Sequence, residues 1–286
     1  MRRLLVLAPV LLVVAACGSD SGHVVGNQVT VSAGASTGQA VSPFAGVPVG
    51  NPTPQPQLGV SGAGGTRGFA LSGPAASPAQ AALAAAAGRY MVHVTSTSTI
   101  NGRANGPQRN EDDPFDASAP VSQNGGVAQA DTVTTSDGKR FVFDLVYMAD
   151  GSVLLASASQ PGQPGFTPSP PVMVVPAGAA PGQSWSGSIT GPGGGSGTWN
   201  GSTGSAGTAA VGGQSVPTVS VSASGTFSGT YQGIPYTATI NVTAQWAPSI
   251  HLFAGYSSTA NGRAGGATPI TATAMLGATL LTARPS

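Results

Sequence analysis

A chain of 286 residues with 43 glycines, 24 prolines and only 7% charged residues cannot stay hydrated through charge, so Ser, Thr, Asn, Gln and the backbone must do it. Ten Lys and Arg against nine Asp and Glu offer neither a basic stripe for nucleic acid nor a polybasic patch for anionic headgroups. A single cysteine excludes a disulfide framework.

At the start of the chain, Arg2 and Arg3 precede an apolar run from Leu4 to Val14. The run is too short to cross ~30 Å of hydrocarbon, and Ala15-Ala16 supply the small residues of a cleavage site. Residues 1–16 are therefore expected to be a signal peptide, whose loss would leave eight basic groups against nine acids. The sequence Val14-Ala15-Ala16-Cys17 resembles the lipobox of bacterial lipoproteins. That resemblance implies export, diacylglycerol on the Cys17 thiol, cleavage before Cys17 and acylation of the new amino terminus, with the membrane as partner through the lipid. One acyl chain holds a protein reversibly, whereas two or more hold it durably. Gly18 follows, where in proteobacterial lipoproteins an Asp resembles an inner-membrane retention signal, so the expected location is the bacterial cell envelope, at the outer membrane and facing periplasm or cell surface. The alternative is an ordinary secretory signal followed by a stray Cys.

Residues 17–78 read as a lipidated N-terminus and disordered tether, with no acid after Asp20 and Asn51-Pro-Thr-Pro-Gln-Pro-Gln57 at the middle. Pro and Gly prevent regular pairing, and a flexible tether of ~60 residues reaches about 40–50 Å. Ser77-Pro78 then supplies a helix cap and a first helical residue, the alanines favour a helix, and Gly88 can stop it. One short helix is expected; with Leu83 as its single large apolar residue, it would pack shallowly and serve as a spacer.

The domain 79–286 reads as all-β beyond that helix. Strands are expected at 90–100 and at 139–148 paired with 152–157 through Ala149-Asp150-Gly151, a hairpin signal. Others are expected at 183–189, 197–200, 216–231, 236–246, 250–257 and 270–282. Short strands separated by Gly, Pro and Asn argue an antiparallel sandwich or open barrel. Ser98–Gly106 and Ser258–Gly266 agree at seven of nine positions. Either Asn-Gly turn chemistry recurs, or a duplicated unit presents Arg103 and Arg263 as equivalent cations at one sheet edge.

Pro181-Gly-Gln-Ser-Trp185, Ser224-Gly-Thr-Phe227 and Thr243-Ala-Gln-Trp-Ala-Pro248 follow one another in an order that resembles a group of uncharacterised all-β periplasmic proteins of Gram-negative bacteria, over 170–260. The resemblance implies an envelope β-domain and carries no catalytic residue. In that group the last element continues into a Gly and a Val-Lys pair, where Ser249-Ile250-His251-Leu252 stands here, and the stretch 191–214 is a Gly-rich insert. Independently, Trp185, Phe227 and Trp246 read as core or sheet-face residues rather than ligand stackers.

Groups for chemistry are sparse. No Asp or Glu follows Asp150, and Glu111-Asp-Asp-Pro-Phe-Asp116 reads as a solvated acidic loop rather than a Ca²⁺ site, because its spacing is not that of an EF-hand and it contains no Gly. His23, His93 and His251 are too scattered for zinc, and His251 reads as a core or edge residue on an apolar strand. No G-x-S-x-G elbow selects a nucleophile, and Gly191–Gly197 lacks the Lys-Ser/Thr of a phosphate loop. No metal and no cofactor is implied. The sequence therefore reads as a lipid-anchored, non-enzymatic envelope β-domain with a structural or binding role, its partner an envelope protein or an apolar ligand. The alternatives are an envelope-polymer hydrolase using carboxylates within 111–150, such as Asp112, Asp113 and Asp144, and an apolar-ligand carrier. Cys17→Ser is expected to move the protein from the membrane to the soluble fraction, measured by fractionation and by mass spectrometry of the amino-terminal peptide.

Overall fold

The computed structural model describes residue 71 and residues 73–159, 167–190, 195–231, 234–265 and 269–286. Cys17, the signal peptide and nearly all of the expected tether lie outside the described residues. The short helix α1 spans Pro78–Ala81 alone, capped by Ser77, whose side chain and that of Gln80 satisfy each other's backbone N–H. Fourteen strands follow: β1 Gly88–Ile100, β2 Arg103–Ala104, β3 Arg109–Ala117, β4 Val121–Gln123, β5 Gly126–Thr134, β6 Arg140–Met148, β7 Val153–Ser159, β8 Val172–Val175, β9 Ser184–Thr190, β10 Ser196–Val211, β11 Gln214–Tyr231, β12 Ile234–Ala247, β13 Leu252–Ala264 and β14 Ile270–Leu280.

All belong to one antiparallel sheet, in the order β8-β7-β6-β5-β3-β1-β14-β13-β12-β11-β10-β9, with β2 beside β1 and β4 beside β5. Of the expected sandwich and open barrel, the barrel form is present, because the two ends of this order meet. Ser169, just before β8, and Thr190, at the end of β9, exchange backbone hydrogen bonds of 3.3 and 3.0 Å. Farther along the seam, the indole N–H groups of Trp185 and Trp199 both donate to the Met173 carbonyl, at 3.0 and 2.9 Å.

The alternation of side chains across each strand decides which face turns inward. On β11, Val219, Val221, Ala223 and Phe227 face the interior while Ser220, Ser222, Ser224, Thr226 and Ser228 face out; on β12, Ala238, Ile240 and Ala244 face in and Thr237, Thr239, Asn241 and Thr243 face out. A barrel that spans a membrane carries an apolar outer band around a polar interior. Here the polarity is the reverse, and the hydroxyl-rich outer wall is how a chain so poor in charge is hydrated. No helix among the described residues is long and apolar enough to cross a membrane.

Glycines on the inner wall make room for rings. A Cβ at Gly201 would lie 2.1 Å from Trp185 Cζ2, one at Gly225 2.7 Å from Trp199 Cε3, and one at Gly197 2.8 Å from Phe227 Cδ1. The aromatic side chains thus lie across glycines of the neighbouring strands, which is why β10 tolerates a composition that otherwise weakens a strand. Much of the Gly-rich insert at 191–214 is therefore sheet: β10 runs sixteen residues, well past the expected 197–200.

One end of the barrel is closed. Ala84 and Ala85 are buried there, Tyr90 donates to the Ala86 carbonyl at 2.8 Å, and Gln129 Nε2 donates to the Ala85 carbonyl at 2.9 Å. The segment after α1 is thus a plug and not the shallow spacer expected from its alanines. The tip of the β10–β11 hairpin lies against it, with Val211 and Val216 in the cluster that holds Ala85 and Leu280. Gly201→Ala is expected to displace the Trp185 ring, weaken the seam and cost about 2 kcal/mol in urea unfolding, the range for overpacking.

Candidate functional site

The interior holds a cavity of about 270 Å³. Its apolar lining includes Phe143 and Leu145 from β6, Trp199 from β10, Phe227 from β11 and Ile240 from β12. An apolar cavity of ~150 Å³ already admits benzene, so there is space here for a larger apolar body.

Charged side chains face this lumen from β3 and β5. On β3 the alternation brings Arg109, Glu111, Asp113 and Phe115 to the inner face, opposite Ser96, Val94, Val92 and Tyr90 of β1. Arg109 Nη2 donates to both Asp113 carboxylate oxygens, at 3.0 and 3.3 Å, and the guanidinium also bonds Glu111. The Asp113 side chain is 1% exposed and that of Arg109 10%. Burial pushes the Asp113 carboxyl above its ordinary value in spite of Arg109. A 2.6 Å hydrogen bond from Ser136, followed by Arg109, holds Glu111 below its own.

The acidic segment 111–116 is thus a strand and not the solvated loop expected of it. Asp112 and Asp116 point outward, where they pair with His93 at 2.6 Å and Arg89 at 2.8 Å, while Asp113 points into the barrel. A row of carboxylates hides a period of two, and only the structure shows which of them has a buried cation to meet. Asp144, the third candidate carboxylate, lies on the other face of its strand from Phe143 and Leu145 and accepts a short hydrogen bond from Ser157. Asp112, Asp113 and Asp144 therefore do not converge.

Asp131, which nothing in the sequence singled out, lies on the inner face of β5 opposite Phe143 and Ala117 and lines the cavity. It is 4% exposed, and its Oδ1 has no hydrogen-bond partner among the described residues. Burial, reinforced by the Asp144 carboxylate, pushes its pKa up to about 8. The only hint available earlier was a lone Asp in the alternating run Val127-Ala-Gln-Ala-Asp-Thr-Val133, whose inward positions are otherwise Val and Gln.

Other candidates settle elsewhere. His251 has a positive φ of 54° in the turn between β12 and β13, not on a strand; burial holds its imidazole below the ordinary value, against the backbone of Ala84. Trp246 is 3% exposed and Trp185 and Phe227 are half-buried on the inner wall, as core or sheet-face residues would be. Asn101-Gly102 forms a turn with positive φ at both residues, whereas Asn261-Gly262 continues strand β13, so the repeated sequences do not share a conformation. They flank the same strand, β14: on one side Asn101 accepts from and donates to the backbone of Thr271, on the other Arg263 pairs with Thr271, and both Arg103 and Arg263 are exposed. Among the described residues no three of His, Cys, Asp and Glu gather as metal ligands.

No protein-family model matches this chain, and no curated protein matches it.

Two outcomes follow from the inner charges. Arg109→Met strands Asp113 without its cation and is expected to cost about 3 kcal/mol in denaturant unfolding, most of it recovered in Arg109→Met/Asp113→Asn. For Asp131, the unfolded carboxyl ionises near pH 3.9 while the folded one holds its proton to about 8, so stability falls as pH rises between those values and levels off above. Asp131→Asn is expected to abolish that part of the slope, matching wild type near pH 4 and exceeding it by about 2 kcal/mol or more at pH 8.5, measured by thermal unfolding across pH.

Proposed function

We propose that the chain is a bacterial envelope lipoprotein, held to the membrane through lipid on Cys17, whose barrel takes up a small apolar molecule in its lumen. The observation that carries ligand binding is the cavity of about 270 Å³, walled by aromatic and aliphatic side chains from strands all round the sheet. Well-formed apolar pockets with a few polar groups are the usual architecture of small-molecule sites. Two features favour a binding lumen over an ordinary core: inner-wall glycines that leave rings lying flat against the strands, and buried charges that a core would exclude. The lipobox resemblance supports the anchor, and the hydroxyl-rich outer wall supports a domain that lives in water beside the membrane rather than within it.

The hydrolase reading has less support. Hydrolysis by two carboxylates needs a pair flanking one bond, some 5 to 9.5 Å apart on a shared site. Asp112 faces out with His93, Asp113 is engaged by Arg109, and Asp144 is turned from the lumen.

Native mass spectrometry of the mature chain, purified from its bacterial envelope without added detergent ligands, is the test. An adduct of constant small mass that survives buffer exchange and disappears on unfolding is the expected result. A bare folded mass, together with failure of the apolar fluorophore diphenylhexatriene to gain emission when mixed with the protein, would overturn the lumen-binding reading.

A further inference from the structure

The lumen has a polar feature that its own side chains do not satisfy. Asp131 Oδ1 is buried and unpartnered among the described residues, and the groups near enough to serve it are committed elsewhere. Tyr90 donates its hydroxyl proton to the Ala86 carbonyl, Tyr147 donates to the His251 carbonyl at 3.4 Å, and Gln129 gives its amide protons to the carbonyls of Ala85 and Ser118. Phe143 and Ala117, its cross-strand neighbours on the inner face, have nothing to donate. Leaving a buried acceptor unpaired is costly, and a ligand that brings a donor to it recovers that cost.

The charge balance of the same wall says which donors fit. Glu111 and Asp113 face inward and both engage Arg109, which is the one cation of this wall among the described residues, while Asp131 keeps its proton to about pH 8 and becomes a further negative charge only when a cation beside it draws that proton off. A ligand carboxylate or phosphate would add negative charge to a wall already in carboxylate excess, in a medium where like charges are poorly screened. An alcohol donates without adding charge, and an ammonium group adds charge of the favourable sign.

We propose that the lumen selects amphiphiles whose apolar body ends in a hydrogen-bond-donating, non-anionic head group, an amine or an alcohol, and that Asp131 receives that head group. The apolar body lies along Phe143, Leu145, Trp199 and Phe227, and the head group sits at the Asp131 level of the wall. This rests on the lumen-binding reading, and its failure is distinguishable from failure of that reading.

The test uses the full mature protein and measures displacement of diphenylhexatriene by dodecylamine, dodecanol and dodecanoate, three probes alike in chain and different in head group. The amine and the alcohol are expected to bind about tenfold or more tighter than dodecanoate at neutral pH. Asp131→Leu, checked for retained fold by circular dichroism and for retained lumen by fluorophore uptake, is expected to bring the three within about threefold of one another. Should Asp131→Leu not fold, Asp131→Asn keeps the shape and a hydrogen-bonding head; it is expected to hold the alcohol nearly as wild type does and to lose the advantage of the amine. Dodecanoate binding as well as the others overturns the head-group selection and leaves the lumen reading standing. Unchanged selectivity in both variants removes Asp131 from the assignment. Failure of the fluorophore and all three probes to bind overturns the lumen reading itself.

Discussion

A sheet of fourteen strands with one apolar face has no other layer among the described residues to cover it, since α1 is four residues long. Apolar area left in water costs roughly 25 cal/mol per Å², so such a sheet must be covered or must curl until its apolar face meets itself. It curls, and the curl is held where β8 and β9 meet. Among the described residues the contact between these strands is slight: a two-bond backbone bridge at Ser169 and Thr190, the Thr190 hydroxyl donating to the Ser169 carbonyl, two indoles sharing the Met173 carbonyl, and Val172 packed with Ile189. The lumen, its lining and its plug all presuppose that this seam stays shut.

Closure also settles what the composition means. Ser and Thr alternate with Val, Ala and Ile along β11 and β12, so hydration and burial are carried by alternate residues of the same strand. Such a wall needs few charges outside, which leaves the inward ones conspicuous. Arg109 with Glu111 and Asp113 is a network that covers its own cost in part, whereas Asp131 has no such partner and keeps a proton instead.

Strands with uninterrupted alternation were legible from the residues alone: β6 and β7 around Asp150-Gly151, the long β11 and β12, and β1 from Tyr90 onward. Those that escaped did so for nameable reasons. β3 is written almost wholly in carboxylates, and nothing local tells Asp113, which meets Arg109 inside, from Asp112, which meets His93 outside. β5 puts Gln129 and Asp131 at inward positions, breaking the apolar pattern at the two places where the interior is polar. β10 looks like a flexible Gly-Ser run because the groups that fill its glycine hollows, Trp185 and Phe227, are supplied by other strands. Asp131 was illegible for the same reason, because its isolation depends on what Tyr90, Tyr147 and Gln129 do with their own protons.

The plug has a mechanical consequence. Residues 84–86 are gripped by Tyr90, Gln129 and His251, all through backbone carbonyls or the backbone itself, and ahead of them the chain is tied to the wall by a short bridge between Ala75 and Val121 at the start of β4. A pull on the amino-terminal side of Ser77 therefore loads that short bridge and then these few bonds before it loads the long strand pairings of the wall. They stand in the geometry of a cork, to be drawn out one at a time, while the sheet above them is held by ladders of many bonds in parallel. Tension from that direction would uncork the lumen well before it unravelled the wall.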